Sequence, residues 1–199
     1  MGRRGISIRV RKFFILACAA LIFVALKNLD ATRLARVGGA ALPFKMVRLY
    51  MKTPDKELAM PVEGVRVGQV GDSWHAPRSG GRVHEGQDIF AERGTAVRSA
   101  TEGYVVRVGQ NALGGNAVWV VGAGRRSYYY AHLDSFAPGL AAGDYVTPDS
   151  VLGYVGTTGN AAGTSPHLHF GVYAPEGAVD PRPLLSDRPD AAERRASRD

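Results

Sequence analysis

The chain has 199 residues, which is enough for one domain with a sizeable core and additional terminal segments. Its single cysteine, Cys18, excludes a disulfide framework and a zinc cluster built on cysteines. The net charge of +7 is unevenly distributed: residues 1–60 contain 12 Lys and Arg against 3 Asp and Glu, whereas residues 61–199 contain 13 against 15. The basic character therefore belongs to the N-terminal segment, and the remainder gives no indication of nucleic-acid binding.

The first 26 residues are predicted to direct the chain across a membrane. Five cationic residues between positions 3 and 12 precede an unbroken apolar run, Phe13 to Leu26, as in a signal sequence. The run is short for a span of about 20 residues, but no small-residue cleavage site follows it. We therefore expect residues 1–26 to form an apolar helix that anchors the chain in the inner membrane, with the following domain on the periplasmic or extracytoplasmic side. The alternative is a cleaved signal peptide and a periplasmic or secreted protein.

Two further segments flank the predicted domain. Residues 27–60 are predicted to be a linker with helical patches, for example around "LPFKMVRLYM". Residues 186–199 carry charges of both signs and are predicted to be a disordered tail.

Residues 61–185 are predicted to form an all-β domain. Short runs rich in β-branched and aromatic residues alternate with Gly, Asn, Asp and Pro, and no convincing amphipathic helix interrupts them. This pattern favours a small, mostly antiparallel β-sandwich or barrel. The predicted strands are 103–109, 116–123, 126–133, 150–156 and 167–173.

Four of the five histidines lie in these strand-like segments. In "HLHF" a strand places His167 and His169 on one face and the two apolar residues on the other. His84 and Asp88 are four residues apart in "HEGQD", an even spacing that also keeps them on one face of an extended chain. His132 ends a tyrosine-rich strand. The fifth histidine, in "DSWHAPRSGG", is interpreted as a groove or surface residue.

Four imidazoles and one carboxylate, without a thiolate, suit a catalytic zinc site. Such a site uses three protein ligands and leaves a position for water, and the two remaining histidines could accept a proton and donate to a developing oxyanion. The spacing alone leaves open which three residues bind the metal. "HEGQD" is not a zincin motif because it lacks the second helical histidine.

The motifs "HEGQDIFAERGTAVRSATEGYVVRVG", "YYYAHL" and "GYVGTTGNAAGTSPHLHFGVY" together resemble the lysostaphin-like (LytM-type) zinc metallopeptidases, which cleave peptides in bacterial cell walls. The resemblance covers about residues 61–185. It implies that His84, Asp88 and His169 bind zinc and that His132 and His167 act on the water and the transition state. All five positions are filled. The chain differs in the longer "GNAAGTSP" segment before the last histidine pair, and upstream coiled coils are absent from its sequence.

Two functions remain after one alternative is excluded. The segments 94–109 and 141–156 also resemble lipoyl and biotinyl carrier domains, whose small barrel-sandwich fold is similar. A carrier needs a lysine for attachment, and no lysine follows Lys56. The first remaining hypothesis is an exported zinc endopeptidase acting on peptidoglycan stem peptides or cross-bridges. The second is a non-catalytic wall-binding or amidase-activating module on the same fold.

Overall fold

The computed structural model of this chain describes residues 41–189. One helix, α1 (Ala41–Tyr50), precedes eleven short strands in this part of the chain. The strands are β1 (Leu58–Ala59), β2 (Gln87–Phe90), β3 (Ala96–Arg98), β4 (Gly103–Asn111), β5 (Gly115–Val121), β6 (Ser127–Phe136), β7 (Tyr145–Val146), β8 (Val151–Val155), β9 (His167–Ala174), β10 (Gly177–Val179) and β11 (Leu185–Ser186). Five 3₁₀ turns connect them, at Val67–Gln69, Ser79–Gly81, Ala123–Arg125, Gly159–Ala161 and Arg182–Leu184.

Nine of these strands form one antiparallel sheet. Its main path runs β10-β9-β6-β5-β4-β7, while β2 pairs with β9 and β8 pairs with both β3 and β6. The remaining strands, β1 and β11, form a separate parallel pair. The all-β, mostly antiparallel prediction is therefore confirmed for the described residues. The apolar helix predicted within residues 1–26 lies outside them.

The core lies beneath the sheet because alternate side chains of the long strands are apolar. On β9, Leu168, Phe170 and Val172 are fully buried, and they pack with Tyr128 and Tyr130 of β6 in the main cluster. The intervening residues of both strands face the opposite side of the sheet, as strand geometry requires. That opposite face carries the histidines described below.

Both ends of the domain are held against the sheet. Leu58 of β1 pairs with Leu185 of β11, and the guanidinium of Arg188 donates hydrogen bonds to the carbonyls of Met60, Pro148 and Ser99. The packed unit thus includes residues just outside the predicted limits 61 and 185.

Helix α1 lies within the predicted linker 27–60. Its Leu49 is buried against Tyr104 and Ala123, and Lys52, just after it, forms an ion pair with Glu102. Within residues 41–189 we find no helix that is long and apolar enough to span a membrane.

Candidate metal centre

The predicted ligands converge where β2 pairs with β9. Asp88 lies directly opposite His169 in this antiparallel pair, so their side chains point to the same face. His84 precedes β2 and is held in a short hairpin, where its backbone N–H donates to the Ala76 carbonyl at 3.0 Å. The segment "HEGQD" therefore brings His84 towards the β9 residue that faces Asp88.

His84, Asp88 and His169 form a compact group of ligand atoms, all within 4.8 Å of one another. Nε2 of His84 lies 2.7 Å from Nδ1 of His169 and 3.0 Å from Oδ1 of Asp88. Nδ1 of His169 lies 3.3 Å from the same oxygen. Ligands of a tetrahedral zinc with bonds of about 2.0–2.1 Å would lie about 3.3 Å apart. The donor set of two nitrogens and a carboxylate oxygen fits zinc. The separation between His169 and Asp88 matches this spacing, and the two separations that involve His84 are shorter by about 0.3–0.6 Å.

The side chains of His84 and Asp88 are oriented by hydrogen bonds to neighbouring residues. Nδ1 of His84 donates to the Ser73 carbonyl at 2.6 Å, which leaves Nε2 as the lone-pair nitrogen. Oδ2 of Asp88 accepts from Arg78 at 2.6 Å, and its backbone N–H donates to the Ser73 hydroxyl at 2.9 Å. The buried Gln87 amide accepts from the Ser73 backbone and hydroxyl at 3.0 and 2.9 Å. Ser73 therefore forms hydrogen bonds with both His84 and Asp88, the histidine and the aspartate of "HEGQD".

His132 and His167 form a second pair beside the ligand group. Their ring centroids lie 5.0 Å apart, and Nε2 of His167 lies 3.9 Å from Oδ1 of Asp88. Nδ1 of His132 donates to the Thr158 carbonyl at 2.9 Å, and Nδ1 of His167 donates to the Ser165 carbonyl at 2.8 Å. In both rings Nε2 is therefore the nitrogen that can accept a proton.

The protonation states suit metal binding and proton acceptance at neutral pH. Burial lowers the pKa of His132 to about 4, although its hydrogen bond to Thr158 acts in the opposite direction. Burial also lowers the pKa of His169. Burial alone would raise the pKa of Asp88, but hydrogen bonds and charge from His169 and His84 outweigh it and hold that pKa well below its usual range. At pH 7 Asp88 is thus ionised, while His132 and His169 are neutral.

An open groove of about 870 Å³ contains all five predicted site residues. Its wall beside His169 is aromatic, since Trp119 stacks on Tyr129 at 4.3 Å and the Tyr129 ring meets His169 edge-on at 5.9 Å. Three exposed apolar side chains also line it: Val83, Phe90 and Leu113. A groove with an apolar rim and converging polar groups can hold an extended peptide.

Sequence reasoning missed the residues that support the site. Ser73, Gln87, Arg78 and Thr158 had no motif to mark them, and only the loop geometry brings them to the histidines. The histidine assigned to the surface, His75, is exposed and stacks on Trp74 at 4.4 Å.

Comparisons with known proteins identify related peptidases. The chain is 40% identical over 115 residues to the L-Ala–D-Glu endopeptidase of Bacillus subtilis, a match that covers 53% of this chain and 35% of that protein. The chain therefore spans about a third of the length of this curated relative. It also resembles the solved catalytic domain of the antimicrobial peptidase lysostaphin from Staphylococcus simulans, with a TM-score of 0.52, 30% identity and coverage of 59% of this chain and 92% of that one.

A zinc-containing peptidase from Vibrio cholerae has a TM-score of 0.53 and 26% identity, with coverage of 66% of this chain and 40% of that one. The sequence profile described as "Peptidase family M23" matches residues 82–181, half of the chain. These findings confirm the predicted resemblance to lysostaphin-like peptidases. The chain belongs to peptidase family M23.

Proposed function

We propose that this chain is an exported zinc endopeptidase that hydrolyses amide bonds in peptidoglycan stem peptides or cross-bridges. The observation that carries the proposal is the convergence of five side chains in one groove. Three of them form a metal-binding group, and the other two turn proton-accepting nitrogens away from their carbonyl partners.

The relatives support this substrate class. One is named an L-Ala–D-Glu endopeptidase, others are named lysostaphin, and one from Staphylococcus capitis is named a glycyl-glycine endopeptidase. These names describe different peptide bonds within one family. They support a peptide substrate from the cell wall.

The proposed metal ligands are His84, Asp88 and His169. Zinc bound there supplies Lewis-acid polarisation of a carbonyl group and a water of lowered pKa. The chain contributes the orientation of the ligands, since the Ser73 carbonyl sets the tautomer of His84 and Arg78 holds the second oxygen of Asp88.

His132 and His167 are the proposed catalytic histidines. With Nδ1–H donated to a carbonyl, each neutral ring accepts a proton at Nε2. A ring that has taken up that proton can then donate from Nε2 to an oxyanion or a leaving nitrogen. One histidine serves as base, and the other serves as donor once it has itself taken up a proton at Nε2, because a neutral ring with its proton on Nδ1 has none to donate there. All five side chains are present and line one groove, which favours the enzyme over the non-catalytic module.

Export is the second part of the proposal. It is supported by the basic residues before the apolar run Phe13 to Leu26, which would hold the protein in the inner membrane with the groove in the periplasm or extracytoplasmic space. Fractionation of cells should place the full-length chain in the membrane fraction, with the domain accessible to protease added from outside. Recovery of the intact chain in the cytoplasm would contradict export.

The test of the activity uses the full-length chain and purified peptidoglycan. Released fragments are identified by mass analysis, which also gives the bond that is cleaved. Wild-type protein should release peptides and hold one zinc per chain, whereas His84→Ala, Asp88→Ala and His169→Ala should lose zinc and cleavage. Full zinc content in all three variants would refute the ligand assignment, and binding to the wall without any cleavage would favour the non-catalytic module.

A further inference from the structure

The groove carries an excess of positive charge beyond the residues assigned above. Its charged lining residues are Arg78, Arg82 and Arg107 against Glu85 and Asp88. Arg78 is committed to Asp88 through the contact at 2.6 Å, and Asp88 belongs to the metal group. With a divalent ion bound at that group, the remaining charge of the groove is positive and attracts an anionic substrate.

Arg107 has the chemistry and the position to contact such a substrate. It is exposed, and its guanidinium has a contact of only 3.5 Å to the Gln110 carbonyl, which is the outer limit of a hydrogen bond. Most of its five donors therefore remain available to a carboxylate, which a guanidinium can bind through two parallel hydrogen bonds.

The sheet register connects Arg107 to the metal group. Arg107 lies opposite Trp119, and Trp119 lies opposite Tyr129, so the three side chains form one row across β4, β5 and β6 on the same face. At the other end of this row, Tyr129 meets His169 edge-on at 5.9 Å. The aromatic wall of the groove therefore leads from the guanidinium to the proposed ligand.

The length of this row sets the distance at which a substrate group would be recognised. With strands about 4.8 Å apart, Arg107 on β4 and His169 on β9 are separated by three strand spacings, or about 14 Å across the sheet. An extended peptide advances about 3.3 Å per residue. A carboxylate bound by Arg107 would thus belong to a residue about four positions from the bond at the metal group.

From this geometry we infer that Arg107 is a specificity-determining residue that binds a free carboxylate of the peptidoglycan stem peptide. The inference rests on the proposed function and narrows its substrate class to stem peptides whose acidic residues are not amidated. Arg107 contacts the substrate away from the reacting atoms, so it acts on the choice of substrate. Its role differs from that of Arg78, which positions Asp88.

The experiment compares one peptidoglycan preparation before and after its carboxylates are converted to amides with a carbodiimide and ammonia. Full-length, zinc-loaded wild type should release fragments from the untreated material about tenfold faster or more, the scale of one charge-assisted hydrogen-bonding pair. In Arg107→Gln the ratio of the cleavage rate on untreated material to that on amidated material should fall towards one, with zinc content and melting temperature unchanged. Lys56→Gln, which removes an equal charge from an exposed position outside the groove, should keep the wild-type ratio.

The outcomes separate the inference from the proposed function. Equal cleavage of both materials by wild type, or an unchanged ratio in Arg107→Gln, would overturn the role of Arg107 and leave the endopeptidase in place. An equal fall of the ratio in Lys56→Gln would also overturn it, because overall charge would then explain the preference. Absence of cleavage of either material by wild type would overturn the proposed function itself, and the inference with it.

Discussion

Replacement of Gly86 by alanine should weaken zinc binding although Gly86 offers no ligand atom. A Cβ at this position would lie 2.7 Å from Cε1 and 2.8 Å from Nε2 of His169, and 2.8 Å from the carbonyl oxygen of Phe170. Ordinary contact begins at 3.4 Å, so the imidazole would have to move by about 0.6–0.7 Å. Zinc–ligand distances in proteins stay within about 0.2 Å of their usual values, so a shift of this size would take the His169 nitrogen out of normal bonding range.

His169 has little space in which to move away from this Cβ. Its Nδ1 lies 3.3 Å from Asp88 and 2.7 Å from His84, and the Tyr129 ring closes another side. We therefore expect Gly86→Ala to lower zinc affinity by about 10- to 100-fold, the usual effect of disturbing a group that supports a ligand. The crowding should also cost about 1–3 kcal/mol of stability in the metal-free protein.

Competition with a chelating dye measures the affinity, and urea unfolding of the metal-free protein measures the stability. Gly68→Ala is the matched control, because a Cβ at Gly68 would have no neighbour within 4 Å. The backbone of Gly68 also has no positive φ, so alanine is not strained there. Wild-type zinc affinity in Gly86→Ala would refute the reasoning, since His169 would then bind no metal or would be free to shift.

Three further predictions concern the catalytic pair, the buried core and the C-terminal end. His132→Ala and His167→Ala should each keep zinc and the fold but lose peptidoglycan cleavage by about 10²-fold or more; wild-type rates in both would refute the mechanism. Burial raises the pKa of Tyr130 to about 12, so the stability it contributes is complete below its unfolded pKa near 10 and is lost as the pH rises towards 12. Urea unfolding at pH 9 and pH 11 should therefore show about 1.4 kcal/mol of alkaline destabilisation that Tyr130→Phe lacks, and equal losses in both proteins would contradict this. Arg188→Ala should destabilise the domain by about 1.5–3 kcal/mol, because three carbonyls lose a charged donor. Thermal unfolding checks this against Arg182→Ala, whose side chain is exposed, and equal melting temperatures would contradict it.

The long strands could be predicted because their side chains alternate. The segment 167–173 corresponds to β9, and 103–109 lies within β4. Short elements escaped prediction for a physical reason: β2 and β3 have four and three residues, too few to show a period of two. The pairing of β1 with β11 joins residues more than 120 positions apart, a separation at which local patterns carry no information.

The composition of the site was predictable from the residue pattern, but the grouping of its residues came only from the family resemblance and not from their spacing. Alternation placed His167 and His169 on one face, yet residues two apart on a strand are separated by about 6.6–7 Å. At that separation the two imidazole rings can contact different side chains. His169 lies against Asp88 because β2 pairs with β9 in this register, whereas His167 lies against His132. Register depends on the whole sheet and cannot be derived from spacing within one strand.

His132 shows that simple alternation would predict the wrong direction for the side chain of a proposed catalytic residue. Tyr128 and Tyr130 of β6 are buried in the core, so regular alternation would send His132 to the core as well. Its φ of 63° is instead left-handed, which is rare for a residue with a side chain. The pairing of β6 with β5 shifts register between Tyr130 and Leu133, the interval that contains His132, and the pairing of β6 with β8 shifts just after it. Ala131 and His132 both line the groove. A left-handed residue of this kind costs about 1–3 kcal/mol and persists only where its surroundings hold it.

Two hydrogen bonds hold His132 in this conformation. The Gly114 carbonyl accepts from the backbone N–H of His132 at 2.8 Å, and the Thr158 carbonyl accepts from the ring at 2.9 Å. The domain therefore retains local strain where it turns an imidazole from the core towards the proposed metal, as expected if that imidazole takes part in the reaction.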